Sequence, residues 1–110
     1  MFFAEDIQAA QRFNEFLEAY NITYRGNGGE DLEVLDDDEE GIPLKFNAYY
    51  SRPKFPENTD LNKIMNLYNN SRNHNENRFE ISELKYVPDN YELQVTFKDV
   101  NFDDKILYLW

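Results

Sequence analysis

Two stretches of strict alternation constrain this chain more than any other feature. Ile42, Leu44, Phe46, Ala48 and Tyr50 are separated by Pro43, Lys45, Asn47, Tyr49 and Ser51, and Tyr91, Leu93, Val95 and Phe97 repeat the pattern. Successive side chains on a strand point to opposite faces, so each stretch has one apolar face that needs cover. The cover is also in the sequence. Ile7, Ala10, Phe13, Leu17 and Tyr20 recur at helical steps over residues 4–20, with Glu5 and Asp6 in the first turn and Asn21 as a stop. Leu61, Ile64, Met65 and Tyr68 recur the same way behind Thr59, a capping residue, with Asp60 in the first turn.

The other elements fill in around these. Ile22 to Arg25 is a short extended piece, and Gly26-Asn27-Gly28-Gly29 reads as a hinge or hairpin turn leading to a strand over Asp31 to Leu35. Pro53 and Pro56 bracket a loop holding Lys54 and Phe55. Phe79 and Ile81 share one parity and Leu84 and Tyr86 the other, which predicts a bulge near Ser82-Glu83. Val87-Pro88-Asp89-Asn90 is a turn joining that strand to Tyr91–Phe97. The apolar run Ile106–Trp110 reads as a last strand, and Asn73 to Asn77 as an exposed loop. The expected fold is α+β, two helices packed on one face of a four- to five-stranded antiparallel sheet, in the order α-β-β-α-β-β-β. Tyr20, Tyr50, Tyr68 and Tyr91 all fall on apolar faces and are expected in the core.

A chain of 110 residues is the size of one domain with one core, so residues 1–110 are read as a single unit. Aromatic residues make up 16% of the chain, which argues for a packed globule in spite of the charge. Cysteine is absent, which removes disulfides, thiolate nucleophiles and Cys-based zinc sites. The N-terminus lacks the basic start and apolar run of a secretory signal, and no stretch is apolar for the length of a bilayer, so the cytoplasm is the expected location.

Charge is distributed unevenly. The net charge is −11, and the first 40 residues carry twelve acids against only Arg12 and Arg25. Glu30, Asp31, Glu33, Asp36, Asp37, Asp38, Glu39 and Glu40 make eight acids in eleven positions. Such a segment repels nucleic acid and anionic membrane and steers the molecule toward basic protein surfaces. An extended backbone rises about 3.3 Å per residue, close to the roughly 3.4 Å between phosphates of one DNA strand along the helix axis. Leu32, Val34 and Leu35 are interleaved with the first acids and would fasten them to the core. Glu5, Glu15 and Glu18 extend the negative surface if helix one lies beside this segment. Tyr49, outward on its strand, and Phe55 are candidate aromatic anchors for a partner.

Catalytic chemistry has little to draw on. His74 is the sole histidine and lies in the asparagine loop, so neither a Cys–His nor a well-supported Ser–His pair is available. No two carboxylates stand out as an acid–base pair. Gly26–Gly29 lacks the Lys-Ser/Thr of a phosphate loop. Asp36–Gly41 begins like a calcium-binding loop, but Glu40 and Asn47 occupy positions where Asp or Asn and a bidentate Glu belong. No enzyme activity, cofactor or metal is expected.

The leading expectation is a small acidic inhibitor, with nucleic-acid mimicry as its sharpest form, that blocks the basic cleft of a nucleic-acid-processing protein, as phage counter-defence proteins do in general terms. The partner is then a basic protein surface on a nucleic-acid-binding enzyme or a toxin, with no direct binding to nucleic acid or membrane. An immunity or antitoxin protein for one cognate toxin is the runner-up. A structural or assembly component is the third.

Overall fold

The computed structural model describes residues 4–26, 31–37, 43–71 and 79–100. Its elements are α1 (Ala4–Ala19), β1 (Thr23–Arg25), β2 (Asp31–Asp37), β3 (Pro43–Lys54), α2 (Leu61–Ser71), β4 (Phe79–Val87) and β5 (Glu92–Asp99), with a 3₁₀ turn at Pro88–Asn90. The fold is α+β: two helices on one face of a five-stranded antiparallel sheet. The fifth strand is β1. The run Ile106–Trp110, read as a strand, and the Asn73–Asn77 loop lie outside the described residues.

β3 organises the sheet. It pairs with β5 along one edge, β5 pairs with β4, and both β1 and β2 pair with the other edge of β3. Thr23 and Arg25 lie opposite Lys54 and Ser51, and the pairing resumes with Asp31 opposite Tyr49 and ends with Asp37 opposite Pro43. β1 and β2 therefore run in the same direction along one strand, end to end, and do not pair with each other. Of the two readings of the glycine segment, hinge or hairpin turn, this removes the hairpin; only Gly26 of that segment, at φ +73°, is described. β2 also continues two residues past Leu35, which makes Asp36 and Asp37 part of the sheet.

The inner face follows the alternation. Phe46, Ala48 and Tyr50 of β3 and Leu93, Val95 and Phe97 of β5 are fully buried beneath the helices. Phe13 of α1 lies edge-on to Tyr50, Tyr68 and Phe97 at centroid distances of 6.0, 5.3 and 6.2 Å. Edge-on pairs of this kind add about 0.5–1.5 kcal/mol each beyond the area they bury. The Tyr50 hydroxyl donates to the Ala10 carbonyl at 3.3 Å, tying α1 to β3.

Local chemistry explains the boundaries. α1 stops at Asn21, whose φ of +60° is left-handed, and the Ile22 N–H folds back to the Leu17 carbonyl at 3.0 Å. α2 is capped by Asp60, whose carboxylate accepts the N–H groups of Asn62 and Lys63 at 3.0 and 3.3 Å. Thr59, expected in that role, instead donates its hydroxyl to the Pro56 carbonyl at 2.6 Å. The bulge in β4 is where alternation placed it, between Ile81 and Glu83. Asn69 of α2 grips it: its amide nitrogen donates to the Ile81 carbonyl at 2.9 Å, and its amide oxygen accepts the Ile81 N–H at 2.8 Å.

The far end of the sheet departs from expectation. β3 runs on through Pro53 to Lys54: between the pairs Thr23–Lys54 and Arg25–Ser51 a single residue of β1, Tyr24, faces two of β3, and Arg52 lies in that irregularity at φ +48°. Tyr91, expected at the start of a strand, ends the 3₁₀ turn in the same left-handed region, also at φ +48°. Its side chain is 57% exposed and that of Tyr20 is 40% exposed, so neither joins Tyr50 and Tyr68 in the core. Among the described residues, no helix is long and apolar enough to cross a membrane.

Candidate functional site

The sheet face away from the helices carries the polar half of each alternating strand. On β3 these residues are Lys45, Asn47, Tyr49 and Ser51, facing Lys98, Thr96, Gln94 and Glu92 of β5. On β2 the register sets Asp31 opposite Tyr49 and Glu33 opposite Asn47. A one-residue bulge at Leu35 then brings Asp36 opposite Lys45, where uninterrupted alternation would have turned it to the inner face. Glu33, Asp36 and Asp37 are exposed, and Leu32 and Val34 are half-buried on the inner side. Glu33, Asp36 and Asp37 are thus carried by an edge strand on which Leu32 packs against the core.

Four side chains on this face are joined across three strands. The Thr96 hydroxyl donates to Asn47 Oδ1 at 2.6 Å, Asn47 Nδ2 donates to the Tyr49 hydroxyl at 3.2 Å, and that hydroxyl donates to Glu33 Oε1 at 3.1 Å. Every donor points the same way, from the buried middle of the sheet to the exposed carboxylate, so each bond polarises the next. Asn47 and Thr96 are only 5% and 3% exposed although they sit on the polar face. Burial raises the Tyr49 phenol above its ordinary pKa, and Glu33 raises it further by hydrogen bond and charge, against a lowering contribution from the Asn47 donor. The phenol is therefore a fixed donor at neutral pH. Beside it lies a shallow depression of about 620 Å³ bordered by Leu32, Glu33, Tyr49, Lys85, Val87, Asn90, Glu92 and Gln94.

Several expected participants lie elsewhere. Phe55 packs against the core, its ring 5.9 Å from that of Tyr86, on the face opposite Tyr49. Glu15 and Glu18 of α1 border a groove with Thr23 and Tyr24 of β1, on the helix side. Burial raises the Tyr24 phenol, and the Glu18 charge adds to it. Glu15 and Glu18 therefore lie on a different face from Glu33, and of Glu5 only the backbone position is described. Glu30, Asp38, Glu39 and Glu40 lie outside the described residues, as does His74, and of Asp31 only the backbone position is described.

Asn47 and Thr96 were not foreseeable from spacing, since an outward polar residue on a strand reads as solvated. The face also carries cations. Lys45 stands opposite Asp36 and Lys98 opposite Glu80, and Lys85 approaches Glu83 at 3.7 Å. Such exposed pairs contribute little stability. Among the described residues there is no histidine or cysteine, and no group of three or more acids arranged to hold a metal ion. The arrangement offers carboxylates on a strand paired to β3, a phenol hydrogen-bonded on both sides, and a broad shallow surface beside them. No family model matches this chain, and neither the curated proteins nor the solved structures contain a significant match to it.

Proposed function

We propose that this chain is an acidic binding protein that occupies the basic cleft of a nucleic-acid-handling protein and blocks its substrate. The observation that carries this reading is the placement of Glu33, Asp36 and Asp37, all exposed, on a strand paired to the centre of the sheet, with Glu33 tied to Tyr49. Carboxylates already held in place lose less entropy on binding than those of a loose tail. Residues on one face of a strand recur about every 6.6 Å, about twice the 3.4 Å axial step between phosphates of one DNA strand. Asp31 and Glu33 have this spacing by register, and the bulge restores Asp36 to their side. Charge governs encounter and the aromatic contact slows release. On this reading the protein acts in the cytoplasm alongside its target.

The test begins with capture from host lysate at low and high salt and identification of the retained protein. Binding kinetics are then compared between the natural chain and a Glu33→Gln/Asp36→Asn/Asp37→Asn variant. Neutralisation is expected to slow association about tenfold or more at low salt and to leave the fold unchanged, and nucleic acid is expected to compete for the partner. Equal association rates for the two proteins would remove β2 from the interface.

A further inference from the structure

At the opposite end of β3 the charge reverses. The chain has 22 acids and 11 bases, yet the cleft of about 430 Å³ where β1, the end of β3 and the turn before β5 meet has no Asp or Glu among its lining residues. It is lined instead by Arg25, Arg52 and Lys54, all exposed, and by the phenol rings of Tyr24, Tyr86 and Tyr91. The volume lies within the range of small-molecule sites, about 300–1,000 Å³. Two of these residues, Arg52 and Tyr91, hold left-handed backbone at φ +48°, a conformation unfavourable for a residue with a side chain. They are locked to each other: the Arg52 N–H donates to the Tyr91 carbonyl at 2.6 Å, and the guanidinium lies 5.3 Å from the centre of the Tyr91 ring. Strain of this kind persists where surrounding structure enforces it, and it gathers at ligand sites.

We infer that this cleft binds a small phosphomonoester bearing a planar ring, a nucleoside monophosphate in chemical class, with the phosphate on Arg25, Arg52 and Lys54 and the ring on Tyr86 and Tyr91. Guanidinium groups match the phosphate oxygens with paired donors, and a lysine adds a point charge. The exposed phenol rings of Tyr86 and Tyr91 offer a π-face on which a base stacks. The acids of the rest of the chain exclude a long polyanion, but none lines this cleft; Glu92, which follows Tyr91 and stands opposite Ser51, is set beside it by the register, and exposed charges beyond about 8 Å are screened at physiological salt. This site is independent of β2 and its acids.

The test is an amide-resolved NMR titration of the full chain with AMP, adenosine and inorganic phosphate in parallel. AMP is expected to shift the amides of Arg25, Arg52, Lys54 and Tyr91 saturably, with phosphate weaker and adenosine weakest. An Arg25→Gln/Lys54→Gln variant is expected to weaken AMP tenfold or more. Tyr91→Asn, which keeps a residue tolerant of left-handed backbone, is expected to weaken AMP but not phosphate. Absence of shifts at these amides, equal binding of phosphate or adenosine, or an unchanged affinity in the double variant each overturns the assignment. If a variant fails to fold, the three titrations of the natural chain still decide.

Discussion

Tyr50 shows how much one side chain can hold here. It is fully buried, its ring packs edge-on to Phe13, and its hydroxyl links β3 to the Ala10 carbonyl of α1. Burial, and to a smaller degree Tyr24 and Tyr68, pushes its phenol well above the ordinary value near 10. The folded chain therefore keeps a proton that the unfolded chain releases once pH exceeds about 10. The stability this supplies is complete below that pH and is lost as pH rises. Tyr50→Phe should cost about 1 kcal/mol at neutral pH through the missing hydrogen bond, yet lose less stability than the natural chain in urea titrations above about pH 10. Parallel pH curves for the two proteins would rule Tyr50 out as the source. Sequence spacing ranked Tyr50, Tyr68, Tyr20 and Tyr91 together, and only the first two are buried. Periodicity reports the face of an element but not its end, and Tyr20 and Tyr91 sit at ends, one just past α1 and the other in a left-handed turn.

At the scale of elements, β2 is the strand on which the proposed function depends. The bulge at Leu35 lets two residues face one, so Leu35 points into water, 46% exposed, and the register shifts again between Asp36 and Asp37, both of which are exposed. Leu35→Ser should then change unfolding free energy by less than about 0.5 kcal/mol. Leu32→Ala, which removes a side chain packed against the core, should cost about 1–2 kcal/mol, less than a fully buried leucine would. Chemical denaturation of both variants checks the contrast, and a costly Leu35→Ser would mean that the strand has a different register. Strands with alternating residues, and both helices, were legible because each buries a complete stripe. The collinear placement of β1 and β2 was not, because a short strand followed by glycines reads locally as half of a hairpin, and the choice between pairing with its neighbour and pairing with β3 is made by tertiary contacts. Asn69 was equally opaque: its grip on Ile81 depends on a bulge that another strand creates.

For the molecule as a whole, the net charge of −11 is a standing repulsion that the folded chain tolerates. Compaction brings like charges closer, and dissolved ions screen them over about 10 Å at 0.1 M. The melting temperature should therefore rise as sodium chloride is raised from low to physiological concentration. A fall over that interval would mean that local ion pairs such as Lys85–Glu83 outweigh the overall repulsion. The chain of hydrogen bonds from Thr96 to Glu33 crosses β5, β3 and β2 and has one end in water and the other in the interior. A cationic group that captures the Glu33 carboxylate competes directly with the Tyr49 hydroxyl for it. Loss of that acceptor is expected to weaken the Asn47 and Thr96 donors behind it, so exchange of the sealed Thr96 hydroxyl proton should quicken when a cation binds Glu33.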